Sequence, residues 1–295
     1  MRIIASSSRR AVDRLVDRGQ RTDPTIARRV ARIVAAVRRS GDPAVLRYAR
    51  RFDQLAAPAE VSRDEMQSGL SAIDPTLRTA LRTSAKHIRR IARRQVPRAW
   101  RTAVVPGVEI EQRVSPLNRV GCYVPAGRYP LPSSLLMTAI PAQVAGVTET
   151  IVMCPRPDPT VLAAAAIANV TRLFRLGGAH AIAALAYGTG TIPKVDKIVG
   201  PGSAYVAAAK ALVAADCPID FYAGPTEIVI VATSGNPTWI AADVIAQAEH
   251  DPDARAIVVT TDRALAERIA EQVKARMPAT GPARASWRQH GTIVV

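Results

Sequence analysis

The sequence predicts an α/β fold in which a largely parallel sheet follows a helical lead. Short apolar runs alternate with helical stretches of ten or more residues from residue 119 onward, and that alternation implies right-handed crossovers between parallel strands. Aromatic residues are only 4% of the 295 while hydrophobic residues are 48%, so the core is built from small aliphatic side chains suited to packing helices on a sheet. The first hundred residues read instead as helices with proline-led starts.

Those helices have identifiable beginnings and ends. Asp23-Pro24 caps a run in which Ile26, Val30, Ile33, Val34 and Val37 recur at helical spacing until Gly41 stops it. Asp42-Pro43 starts a short second helix, Ser62 and Glu65 form a capping-box pattern before a third, and Asp74-Pro75 opens a fourth that carries Leu77, Leu81, Ile88 and Ile91. From Val108 the period changes: VEIEQRV alternates, and Arg119–Val124 is a short apolar strand. Further strands are read at Thr150–Cys154, Arg172–Leu176, Lys197–Val199, Glu227–Ala232, Ala256–Thr260 and Thr292–Val295. Helices fall at Pro159–Asn169, Ala179–Tyr187, Ser203–Ala214, Thr238–Glu249 and Asp262–Arg276. The last apolar strand ends the sequence with nothing after it to cover the sheet, so the fold is expected to be C-terminally truncated.

Charge excludes less than it first suggests. The net +16 is concentrated in residues 1–101, with 24 Lys and Arg against 9 Asp and Glu, while residues 102–295 carry 16 against 15. Arginines alternating with an apolar stripe, as in RRVARIVAAVRRSG, describe a solvated helix face. No aromatic residues interleave with them to stack bases, so no nucleic-acid partner is expected. The apolar stretch of MRIIASSSRR is too short for a signal peptide, and the Ala-rich runs at Val161–Val170 and Ala181–Tyr187 are too short for a membrane span. Cys122, Cys154 and Cys217 form no CxxC pair and read as reduced core thiols of a cytoplasmic protein.

In open α/β sheets ligands bind where strands end at their carboxyl side. Five loops rich in glycine, proline or polar residues are candidates. Cys122-Tyr123-Val124-Pro125-Ala126-Gly127-Arg128-Tyr129-Pro130 offers an aromatic hydroxyl. Gly177-Gly178-Ala179-His180 opens a helix whose amides could hold a phosphate. Gly200-Pro201-Gly202-Ser203 opens another, and Ala223-Gly224-Pro225-Thr226-Glu227 puts a hydroxyl and a carboxylate at a strand start. Gln247 and His250, three apart in Gln247-Ala248-Glu249-His250-Asp251, share a helix face and can converge on a metal ion, although two donors are fewer than zinc requires. Each loop alone is compatible with ordinary turn chemistry.

The ordered series GCYVPAGRYPLPSSLLM, GGAHAIAALAYGTGTIPKVDKIVGPGSAYVAAAK, DFYAGPTEIVIVA and AQAEHDPDA resembles the histidinol dehydrogenase family. The resemblance implies a zinc-dependent oxidation of L-histidinol to L-histidine in two hydride transfers to NAD. It implies that Gln247 and His250 ligate the metal and touch the substrate, and that Thr226 binds the substrate. Tyr123, His180 and Ser203 would contact the cofactor; His180 and Ser203 stand where the family usually has Gln and Asn, and Arg128-Tyr129 replaces small residues. The family's adjacent Glu-His catalytic pair and its remaining zinc ligands would lie beyond Val295, so no catalytic residue is assigned, and turnover by this chain alone is not expected.

The resemblance further implies two Rossmann-like domains. Residues 1–17 would be a helical extension, 18–126 with 226–295 a first, discontinuous and incomplete domain, and 127–225 a second. The family acts as a homodimer. A second reading is a non-catalytic truncated paralogue that serves as a binding or interaction protein.

Overall fold

A computed structural model describes residues 2–16, 23–126, 130–221 and 226–295. The chain forms two compact units, Thr22–Ala223 and Met1–Arg21 with Gly224–Val295. The first elements, β1 (Arg2–Ile4) and α1 (Arg9–Val16), belong to the smaller unit.

The larger unit begins with α2 (Pro24–Ser40), whose start is fixed by the Asp23 carboxylate accepting from the Thr25 amide at 2.8 Å and by proline at the first turn. Then come α3 (Asp42–Tyr48), a π-helical turn at Ala49–Asp53, β2 (Glu60–Val61), α4 (Arg63–Ala72) and α5 (Pro75–Gln95). A hairpin of β3 (Trp100–Val105) and β4 (Val108–Gln112) precedes the alternating part. That part comprises β5 (Arg119–Tyr123), α6 (Pro132–Val144), β6 (Glu149–Met153), α7 (Pro159–Ala168), β7 (Arg172–Phe174), α8 (Gly178–Tyr187), β8 (Lys197–Val199) and α9 (Ala204–Val213). The sheet order is β2-β7-β6-β5-β8, parallel throughout except for β2.

Both faces of this sheet are covered, which is why its strands are apolar at successive positions. Ile151, Met153 and Tyr123 pack with α2, α8 and α9; Val152, Val120 and Cys122 pack with α4, α6 and α7. Every residue from Ala179 to Ala186 in α8 is buried, so the helix is covered on all sides and is apolar except at His180. Small side chains make such close packing feasible. Gly69 in α4 is the clearest case, since a Cβ there would sit 2.4 Å from the Leu162 Cβ of α7.

In the smaller unit β9 (Glu227–Val231), α10 (Pro237–Ala248), β10 (Arg255–Val259), α11 (Arg263–Arg276), α12 (Pro282–His290) and β11 (Thr292–Val294) follow one another, and the sheet order is β1-β11-β10-β9, all parallel. Val244, Val258, Leu265, Ile269, Val273 and Ile293 form its core, closed by Trp287. Among the described residues no helix is long and apolar enough to cross a membrane.

The α/β class with parallel-rich sheets agrees with the sequence reading; the division into domains does not. Residues 22–126, assigned to the first domain with 226–295, lie in one unit with 127–223. The reason is hydrogen bonding and packing: β5 is an interior strand between β6 and β8, β2 extends the same sheet, and α2 packs on α8 and α9. Nor is the stretch from 1 to 17 only a helical extension, because β1 pairs with β11 in parallel.

Candidate functional site

Topology locates a crevice in the larger unit. The chain passes from β5 to β6 to β7 in one direction, then returns to place β8 on the other side of β5. Such a reversal opens a gap at the carboxyl ends of the two diverging strands, where open α/β sheets bind ligands. Tyr123 ends β5, and Gly200-Pro201-Gly202-Ser203 follows β8. The two segments touch closely. Gly200 has φ +111°, and a Cβ on it would lie 2.2 Å from the Tyr123 carbonyl oxygen, so only glycine fits.

Lys210 and Asp220 lock this loop from beneath. The Lys210 ammonium, 1% exposed, donates to the Gly200 carbonyl at 2.9 Å and to the Asp220 carboxylate, and lies 5.2 Å from the Phe221 ring centroid. Asp220 in turn accepts from the Gly200 amide at 2.7 Å. A buried ammonium is tolerated because it is paired and hydrogen-bonded. Ser203 is exposed as N-cap of α9, and its side chain makes no capping bond. Ser203 is thus exposed on the loop that follows β8, its hydroxyl uncommitted to the start of α9.

The other two expected cofactor contacts are placed differently. The Tyr123 side chain is buried; its hydroxyl accepts from the Gly178 amide at 3.0 Å, and burial pushes its phenol up to about 12. His180 is also buried, with Nε2 2.8 Å from the Asp53 carboxylate and its ring tilted against Tyr48 and Phe52. Asp53 accepts from the Gly177 amide as well, at 2.9 Å. The amides of Gly177 and Gly178, read from sequence as a possible phosphate cradle, thus already have protein partners. Arg128 and Tyr129 lie outside the described residues, as do Ala223, Gly224 and Pro225.

In the smaller unit the expected substrate residues do gather. Thr226 directly precedes β9, and its carbonyl accepts from the Arg255 amide at 3.0 Å, which fixes it beside the start of β10. Gln247 lies at the end of α10; its amide nitrogen donates to the Thr226 hydroxyl at 2.8 Å, leaving Oε1 as the atom free to ligate a cation. His250 follows a turn later, exposed, its backbone amide on the Gln247 carbonyl at 3.2 Å. These residues cluster at the amino edge of their sheet rather than the carboxyl edge that the sequence reading presumed. The cause is geometric: a helix between parallel strands runs back, so the end of α10 meets the start of β10.

As a zinc site this donor set fits in kind but is short in number. An amide oxygen and an imidazole suit a borderline cation, yet a catalytic zinc takes three protein ligands, and among the described residues no three His, Cys, Asp or Glu side chains gather. Sequence reasoning overlooked Asp53, Lys210 and Asp220. For Lys210 a signal exists: Val206, Ala209, Lys210 and Val213 share the buried face of α9, so the lysine stands at a core position.

Comparison with known proteins resolves the ancestry. The family model described as histidinol dehydrogenase matches residues 16–295. The chain belongs to the histidinol dehydrogenase family. Histidinol dehydrogenase from Geobacter metallireducens is 43% identical over 293 residues, covering 95% of this chain and 67% of that protein. The Rhodospirillum rubrum histidinol dehydrogenase is 47% identical over 277 residues, covering 90% and 64%. The solved histidinol dehydrogenase of Elizabethkingia anophelis superposes with a TM-score of 0.85 at 32% identity, over 92% of this chain and 65% of that one. The chain therefore spans about two thirds of the length of these histidinol dehydrogenases.

Proposed function

We propose that residues 1–295 supply the substrate-holding part of a zinc-dependent, NAD-linked oxidation of L-histidinol to L-histidine. The observation that carries this reading is the Gln247–Thr226 hydrogen bond with His250 one turn away, in a chain of the histidinol dehydrogenase family. The Thr226 hydroxyl and the Gln247 amide orient the polar groups of the substrate, and His250 adds an imidazole donor. Gln247 Oε1 and His250 would hold zinc, which when bound supplies fixed positioning of the substrate's nitrogens. On the cofactor side Ser203 and the Tyr123 end of β5 face the crevice at the strand reversal, where NAD would lie. His180, held by Asp53, acts from behind this wall. The proposed working state is a homodimer.

Hydride loss from an alcohol requires a base for the hydroxyl proton. The resemblance assigns none within these residues, so the proposal is binding without turnover for this chain by itself. Calorimetric titration with L-histidinol in the presence of zinc tests it. Thr226→Val and His250→Ala are expected to weaken binding about tenfold or more each, the worth of one good polar contact. Unchanged affinity in both variants refutes the site, and NADH formation by the unmodified chain refutes the absence of a base. A second reading, a non-catalytic binding protein, is favoured by one observation: His180, at a cofactor-contact position, is engaged internally by Asp53.

A further inference from the structure

The +16 charge of the chain is not spread evenly. α5 carries six arginines and one lysine, with no acid among its 21 residues. Its apolar side, with Leu81 and Ala85, is buried in the core it shares with α4, α6 and α7, and this fixes which way the charges face. Arg82, Lys86, Arg89, Arg90 and Arg93 all line one open groove. They fall within about 100° of the helix circumference, so they form a stripe ~16 Å long at about 1.5 Å per residue. Leu70 of α4 and Ile167 of α7 also line the groove, and no Asp or Glu does. Four of the five cations are exposed, and among the described residues none of the five is ion-paired. Arg82 with Lys86, Lys86 with Arg90 and Arg89 with Arg93 are like charges one turn apart, an arrangement that weakens a helix unless an anion lies between them.

We propose that this groove holds the phosphodiester backbone of a single nucleic-acid strand without reading its bases. A line of cations suits an extended polyanion better than a compact phosphate. Four of the five are arginines, whose planar fork takes two phosphate oxygens at once. The absence of interleaved aromatics argues against base stacking but leaves a backbone contact untouched, because counterion release needs only cations along the track. A lipid surface fits less well. A basic helix lies on a membrane by inserting its apolar face, and that face of α5 is already committed to the core. An acidic protein segment would present carboxylates on separate side chains, whereas a strand repeats its charge at every nucleotide. None of the residues assigned to histidinol, zinc or NAD takes part, so this inference stands apart from that reading.

Fluorescence anisotropy of a labelled oligothymidylate titrated with the full chain, from about 50 to about 200 mM salt, tests the proposal. Five phosphate contacts predict that log K falls against log salt with a slope of about −3.5, at ~0.7 per contact for a single strand. Lys86→Gln combined with Arg93→Gln, both at exposed positions, should reduce that slope by about 1.4. The same pair should weaken binding at least about tenfold at the lowest salt, with circular dichroism unchanged. Arg28→Gln with Arg32→Gln, exposed on α2, removes equal charge elsewhere and should change affinity less than about twofold. Equal losses from the two pairs would show attraction to net charge rather than to the groove, and would overturn the proposal. So would no loss from the α5 pair, or displacement of the oligonucleotide by polyglutamate or phosphatidylserine vesicles as effectively as by unlabelled oligothymidylate.

Discussion

Asp53 is the residue that holds the buried polar cluster around His180 together. Its carboxylate receives both the Gly177 amide and the His180 ring, so truncation strands two buried donors at once. Asp53→Ala is expected to cost about 2–4 kcal/mol in urea unfolding, and a loss under ~0.5 kcal/mol, the scale of a surface change, would show that the pair is unimportant. Burial also lifts the Cys122 thiol from its ordinary 9.0, and the Tyr123 phenol from its ordinary 10.0, each to about 12. Because the folded values are raised, the unfolded chain ionises first. The stability tied to these groups is intact below about pH 9 and is lost as pH climbs towards 12. The denaturation midpoint should fall across that window, with Tyr123→Phe removing the part that begins near pH 10; a flat profile would contradict the burial. Tyr123, Ser203, Thr226, Gln247 and His250 are expected from sequence because the loops that hold them, taken in order, resemble the histidinol dehydrogenase family; each loop alone is compatible with ordinary turn chemistry. Asp53 is not among them. It is one acid in an arginine-rich stretch, and its partner lies 127 residues further on.

At the level of elements, the apolar runs that became β5, β6, β7 and β8 were legible because a strand covered on both faces has little choice of composition. The two-residue β2 left no pattern, and β3 was hidden by its bulge, which breaks the period-two alternation. The contact of α4 with α7 rests on the absence of a side chain at Gly69. Gly69→Val would drive the two helices apart, because the clash is with the Leu162 Cβ and no rotamer of that leucine relieves it, and a destabilisation of about 2–3 kcal/mol is expected by thermal or chemical denaturation. Near-native stability would mean that the helices slide freely, contrary to the packing. Thr226, Gln247 and His250, at the amino edge of the smaller sheet, show the same limit. Sequence gives the order of strand and helix, but only the return direction of α10 shows which edge its last turn reaches.

Across the whole molecule, the division into units escaped the sequence reading because strand pairing, not proximity in sequence, decides membership. β1 belongs with residues nearly 300 positions away: the Val295 amide donates to the Ile4 carbonyl at 2.9 Å, and the Ser6 amide to the Val295 carbonyl at 2.7 Å. Deleting residues 2–8 should speed hydrogen exchange at the Val295 amide and lower the melting temperature of the smaller unit; unchanged exchange would mean that β11 holds without its neighbour. This pairing also bears on how the protein is made. β1 leaves the ribosome roughly 290 residues before the β11 partner it needs, a wait of roughly 15–60 s at about 5–20 residues per second. Residues 22–223 can fold in that interval, while an unmated Arg2-Ile3-Ile4 edge waits in the open. The basic residues that follow it, Arg9 and Arg10, would then serve as gatekeepers against premature aggregation of the nascent chain.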